Sequence, residues 1–96
     1  MKLNLNKNVT DLDGAKGQEM LSRVLSEILK TAPTGDALTY LDWALALHNT
    51  GEVELVTQSQ YEELRKVVQD SRAWALVRGL ILREMVNQRD EQKAFR

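Results

Sequence analysis

The sequence predicts a mainly α fold, a four-helix domain with a small two-stranded β element that gives it an α+β tendency. Three observations lead there. Four segments carry apolar residues at helical spacing, a single proline interrupts the chain, and two short segments have strand character. Ninety-six residues suit one domain, because two separate cores would each be too small to hold.

Lys2-Leu3-Asn4-Leu5-Asn6 alternates polar and apolar residues, the pattern of a half-buried strand. Asp11-Leu12-Asp13-Gly14 reads as a turn where the chain reverses, since Asp side chains bond nearby backbone N–H groups and Gly accepts positive φ. Residues 1–14 are therefore assigned to strand and turn, residues 18–90 to a helical core, and residues 91–96 to a tail that frays.

From about Gln18 to Ala32, Met20, Leu21, Val24, Leu25, Ile28, Leu29 and Ala32 fall on one half of a helical wheel. Ser22, Arg23, Ser26, Glu27 and Lys30 fall on the other. Pro33 ends this helix by disfavouring helical geometry at Ala32, and Thr34 or Asp36 caps the next. That second helix, about Gly35 to Asn49, has a broad apolar arc of Ala37, Leu38, Tyr40, Leu41, Trp43, Ala44, Leu45 and Leu47, with Gly51 suited to its C-terminal cap. Val53-Glu54-Leu55-Val56 follows as a strand, and Thr57-Gln58-Ser59-Gln60 has the spacing of a capping box.

The third helix, about Gln58 to Asp70, shows a narrow stripe of Tyr61, Leu64, Val67 and Val68 and is expected to be the most peripheral. Ser71 or Asp70 caps a fourth helix from about Arg72 toward Asp90, the alternative being one unbroken helix through residues 58–90. Two isolated strands leave their backbone groups unpaired, so Leu3–Asn6 is expected to pair with Glu52–Val56; the competing arrangement pairs the first strand with a neighbouring subunit.

The fourth helix carries the strongest hint of function. Ala73, Trp74, Ala75, Leu76, Val77, Leu80, Ile81, Leu82, Met85 and Val86 surround most of the cylinder, leaving a polar strip at Arg72, Gly79 and Arg83. Such a helix is either the central core helix or a surface that meets another copy or a partner. On the second reading the candidate interface is Trp74, Val77, Arg78, Ile81, Leu82 and Met85. Gly79 points to close approach of another helix, and Arg78 must reach solvent or a carboxylate.

Composition and motifs narrow the chemistry. The absence of cysteine excludes disulfides, zinc-thiolate sites and a thiol nucleophile, and no stretch approaches the roughly 18 apolar residues of a membrane span. The N-terminus lacks the apolar core of a signal peptide, which leads to the expectation of a cytoplasmic protein. Residues 1–64 carry five Lys/Arg against ten Asp/Glu, net −5, whereas residues 65–96 carry eight against four, net +4. That asymmetry can steer a partner or a second copy, head to tail.

Placing Gly14 at the glycine of an EF-hand loop puts Val9 and Met20 where carboxylate ligands belong, so a turn is the better reading. His48 is the only histidine and suits a place near a helix C-terminus; no motif supplies it with a nucleophile. Glu62-Glu63 and Glu52/Glu54 read as surface charges, and Gly14-Ala15-Lys16-Gly17 lacks the spacing of a phosphate-binding loop. No residue set calls for a catalytic site, a metal or a cofactor. Arg65, Lys66, Arg72, Arg78, Arg83 and Arg89 offer a basic surface, but Leu, Ile and Val line the helix where a recognition helix needs polar side chains, which argues against nucleic acid as partner.

With Met1-Lys2-Leu3-Asn4-Leu5-Asn6-Lys7, then Asp11-Leu12-Asp13-Gly14, then an aromatic-bearing helix leading into Gly51-Glu52-Val53-Glu54-Leu55, the chain resembles a group of short uncharacterised bacteriophage and prophage proteins over roughly residues 1–70. It departs from that group in its longer, arginine-bearing C-terminal helix. The resemblance implies a phage-encoded accessory protein of the bacterial cytoplasm and transfers no functional residue. The expectation is a non-enzymatic protein, a regulator or assembly factor, that forms a homo-oligomer and binds a host or phage protein. The alternative is a nucleic-acid-binding accessory protein using the basic C-terminal third.

Overall fold

Alternation in the first residues sets the first strand of the computed structural model, which describes residues 1–95. The chain order is β1 (Lys2–Asn4), β2 (Asn8–Thr10), β3 (Lys16–Met20), α1 (Leu21–Thr31), α2 (Ala37–Thr50), β4 (Glu52–Glu54), α3 (Gln58–Asp70) and α4 (Ala75–Gln92). Among the described residues, four helices and two two-stranded antiparallel sheets make an α+β fold. β1 pairs with β4 as expected, Leu3 opposite Val53, so the strand needs no neighbouring subunit. Leu3, Leu5, Val53 and Leu55 all point into the core.

The outer edge of β1 is closed by side chains. Gln88 Nε2 donates to the Asn4 carbonyl and Gln88 Oε1 accepts from the Asn4 N–H, both at 2.7 Å. Gln92, one turn on, repeats the pattern with Lys2 at 2.7 and 2.9 Å. Helical residues four apart and strand residues two apart have similar spacing, so two glutamines occupy the place of a missing strand and blunt the edge.

The second sheet differs from the sequence reading. Residues 16–20 form β3, paired with β2 through a register shift, and helix α1 starts at Leu21 rather than near Gln18. Lys16-Gly17-Gln18-Glu19 offers no apolar side chain to a helical face, and Asn8 Nδ2 holds the Gly17 carbonyl at 2.9 Å. The reversal between β2 and β3 is the expected turn: Asp11 Oδ1 accepts from the N–H groups of Asp13 and Ala15, both at 3.0 Å, and Gly14 takes φ +84°.

α1 is the helix that packs against all three others. Ser22 and Ser26, expected on its polar half, are buried, because small side chains let α2 come close; Ser26 Oγ sits 3.5 Å from the Ala44 carbonyl. α2 begins at Asp36, whose carboxylate accepts from the Leu38 and Thr39 N–H groups, and ends at Gly51 with φ +75°. A Cβ at Gly51 would strike the Asn6 amide, which donates to the Thr50 carbonyl, so glycine is required there twice over.

Thr57 caps α3 through the Gln60 N–H, while Gln60 reaches back to the Val56 N–H at 2.7 Å, one residue before the position a standard capping box uses. Helices α3 and α4 are separate. Ser71 Oγ donates to the Val68 carbonyl at 2.8 Å and Trp74 is extended, so α4 starts at Ala75 rather than Arg72. At the C-terminal end α4 runs to Gln92, and Phe95 packs on Tyr61 with ring centroids 5.9 Å apart. Arg96, in the predicted tail, lies outside the described residues.

Candidate interaction surface

Of the two readings of α4, a central core helix or an open surface, the first does not describe its packing. The helix buries only Ile81, Met85 and Gln88, and α1 takes the central place. The residues predicted as an interface therefore separate. Ile81 and Met85 are fully buried within the chain and serve its own core. Val77 is half-buried against that core. Arg78 reaches no carboxylate; its guanidinium donates to the carbonyls of Gln69 at 3.0 Å and Ala73 at 2.8 Å, closing the C-terminal end of α3 where a cation suits the helix dipole.

Trp74 is 82% exposed in the α3–α4 link, and Leu82 is half-buried beside Val86, which is 40% exposed. Gly79 faces open space: a Cβ placed there meets nothing within 4 Å among the described residues, so none of them makes the close approach that the glycine suggested.

The larger apolar surface lies on α2. Tyr40, Trp43, Ala44 and Leu47 are buried on its inner side. Leu38, Leu41 and Leu45 on the outer side are 74, 53 and 49% exposed. Their three- and four-residue steps form one continuous row along the helix. At roughly 100–150 Å² of accessible area each, the three leucines present on the order of 300 Å² of apolar surface, the size at which patches on single proteins are commonly functional. The sequence places these leucines on one broad apolar arc with the residues that the fold buries. The signal was present, since α2 is as apolar around its circumference as α4, but the inner arc had already satisfied the need for burial.

A groove of about 1140 Å³ runs between the α1–α2 link and α3, lined by Ile28, Pro33, Tyr40, Glu63, Lys66 and Val67 among others. The Tyr40 hydroxyl donates to Glu63 Oε1 at 3.2 Å, and burial together with the Glu63 carboxylate raises its pKa. His48, exposed near the C-terminal end of α2, does not line this groove. Among the described residues, no three His, Cys, Asp or Glu side chains gather to hold a metal ion, and no helix is long and apolar enough to cross a membrane.

Of the six cations that made the expected basic surface, Arg65 pairs with Glu62 at 3.1 Å, Arg78 is used as above, and Arg89 lies over the Tyr61 ring at 5.0 Å. Lys66, Arg72 and Arg83 project to solvent. Asp42 on α2 and Asp36 at its N-cap are exposed carboxylates. The chain thus offers an apolar helix row flanked by acids on α2 and an open apolar strip flanked by arginines on α4.

No protein-family model matches the chain, and neither curated proteins nor solved structures match it.

Proposed function

We propose that this chain is a non-enzymatic accessory protein, of phage or prophage origin and working in the bacterial cytoplasm, that self-associates and engages another protein through exposed apolar helix surface. The observation that carries this reading is the row Leu38, Leu41, Leu45 on α2, which the fold leaves in water although its opposite face is fully packed. Leaving three leucines exposed on one helix forgoes several kcal/mol of burial, at about 1.5–3 kcal/mol per side chain, and invites aggregation unless something covers them.

The test is a Leu41→Asp variant compared with the wild type by light scattering after size exclusion. Leu41→Asp is expected to keep its helical circular dichroism and to lose association. A folded variant that associates as the wild type does would refute the reading.

Nucleic-acid binding by the basic C-terminal third has less support, because Arg65, Arg78 and Arg89 are engaged within the chain. Absence of binding to duplex or single-stranded oligonucleotides at about 50 mM salt, where phosphate contacts are strong, ends that alternative.

A further inference from the structure

We infer that the outer face of α2 in one copy docks antiparallel on the outer face of α4 in a second copy, so that copies join head to tail. This rests on the self-association reading above and specifies how it occurs. Set antiparallel with Leu45 against Gly79, Leu38 falls against Val86, and Leu41 sits between Leu82 and Arg83, because α2 steps four residues then three where α4 steps three then four. Leu45 meets the one position on α4 where an approaching side chain finds no Cβ and no neighbouring atom within 4 Å.

Charge selects this pairing over its alternatives. In the same register Asp42 lies beside Arg83, on the same side of the seam, and both are exposed. Pairing α2 with another α2 about Leu41 brings Asp42 toward Asp42. Pairing α4 with another α4 through Gly79 and Leu82 sets Arg72 against Arg89 and Arg78 near Arg83. Like faces therefore repel and unlike faces attract, in line with the net −5 of residues 1–64 and +4 of residues 65–96. Within one chain α1 packs against both helices and holds the two faces apart, so the contact forms only between copies. An interface between two different faces does not close on itself after two copies; it propagates into a ring or an open chain.

The test is complementation between two full-length variants. Leu45→Asp disables the α2 face and keeps α4; Gly79→Glu disables the α4 face and keeps α2. Gly79→Glu also places a better helix former at an exposed helical site, so it folds at least as well as the wild type. Leu41→Asp and Ala75→Glu are the substitutes should either variant lose its circular dichroism.

By sedimentation velocity each variant alone is expected to remain at the 10.9 kDa monomer mass, and an equimolar mixture to form a two-copy species and nothing larger. Wild type should grow past two copies as its concentration rises. Arg83→Asp should weaken association about two- to fivefold and regain it when combined with Asp42→Arg. A mixture that stays monomeric while wild type associates overturns the α2-on-α4 contact and leaves self-association standing. So does a Gly79→Glu variant that dimerises alone, which would assign the contact to α2 on α2. Wild type that stays monomeric up to about 1 mM, beyond the range of even small transient interfaces, overturns self-association itself.

Discussion

Replacing Gln88 by alanine removes the clamp that finishes the β1 edge, and its cost follows from the geometry. The side chain is almost fully buried and makes three hydrogen bonds: to the Asn4 carbonyl and from the Asn4 N–H, both at 2.7 Å, and to Glu84 Oε2 at 2.9 Å. Each bond contributes about 0.5–1.5 kcal/mol net, and water recovers part of that at Asn4, which is itself exposed. Gln88→Ala is therefore expected to lose about 2 kcal/mol, or on the order of 10 °C in Tm for a domain of this size. Gln92→Ala makes a matched control: its two bonds to Lys2 are exposed, and its loss should be about 0.5 kcal/mol. Urea unfolding reads both as shifts in midpoint at constant slope. Equal midpoints for the two variants would refute the claim that burial, rather than hydrogen-bond count, sets the value of the clamp.

Gly79→Ala should stabilise the monomer by up to about 1 kcal/mol, since the added methyl meets nothing and the helix loses its most flexible residue; denaturant unfolding at low protein concentration measures this. Tyr61→Phe should be neutral or slightly stabilising in the same assay, because the buried Tyr61 hydroxyl has no hydrogen-bond partner among the described residues. Glu84 supplies a pH dependence. Burial pushes its carboxyl upward, but hydrogen bonds from Lys7 and Gln88 and the charges of Lys7 and Arg83 outweigh burial and hold it below the ordinary 4.5. The unfolded chain therefore takes up that proton first, so Glu84 contributes stability above the ordinary value and loses it as the pH falls through the folded one. Glu84→Gln should flatten the acid limb of stability against pH, by less than about 1 kcal/mol because Lys7 is half exposed; an unchanged acid limb would contradict the assignment.

Much of the scaffold was legible because it depends on local rules. Alternation at Leu3 and Leu5, the unpaired backbone of Glu52–Val56, the Asp11 turn, the Asp36 and Thr57 caps and the Gly51 cap all act within a few residues or through one obligatory pairing. The β2–β3 hairpin escaped because its strands have almost no apolar alternation; backbone bonds and the Asn8 side chain hold it instead. Ser22 and Ser26 read as solvent-facing because polarity stood for exposure, whereas at a helix crossing their small volume decides.

The candidate surface was half legible. Excess apolar residues on α4 gave the right kind of feature, but a helical wheel cannot say which arc a neighbour covers. Three-dimensional packing turned Ile81 and Met85 inward, left Trp74 and Gly79 outside, and moved the largest uncovered row to α2. Gln88 and Gln92 had no sequence signal at all, since glutamine in a terminal helical turn is ordinary until a strand edge lies beside it.

The central claim, that this chain acts through apolar helix faces left open by its own fold, is tested most directly by sedimentation velocity of the wild type from about 10 µM to 1 mM, the range expected for a small interface, at low and high salt. The mass is expected to rise above 10.9 kDa with concentration, and the association to weaken about two- to fivefold as salt screens the acidic and basic faces. A single monomeric species across that range at low salt would contradict it.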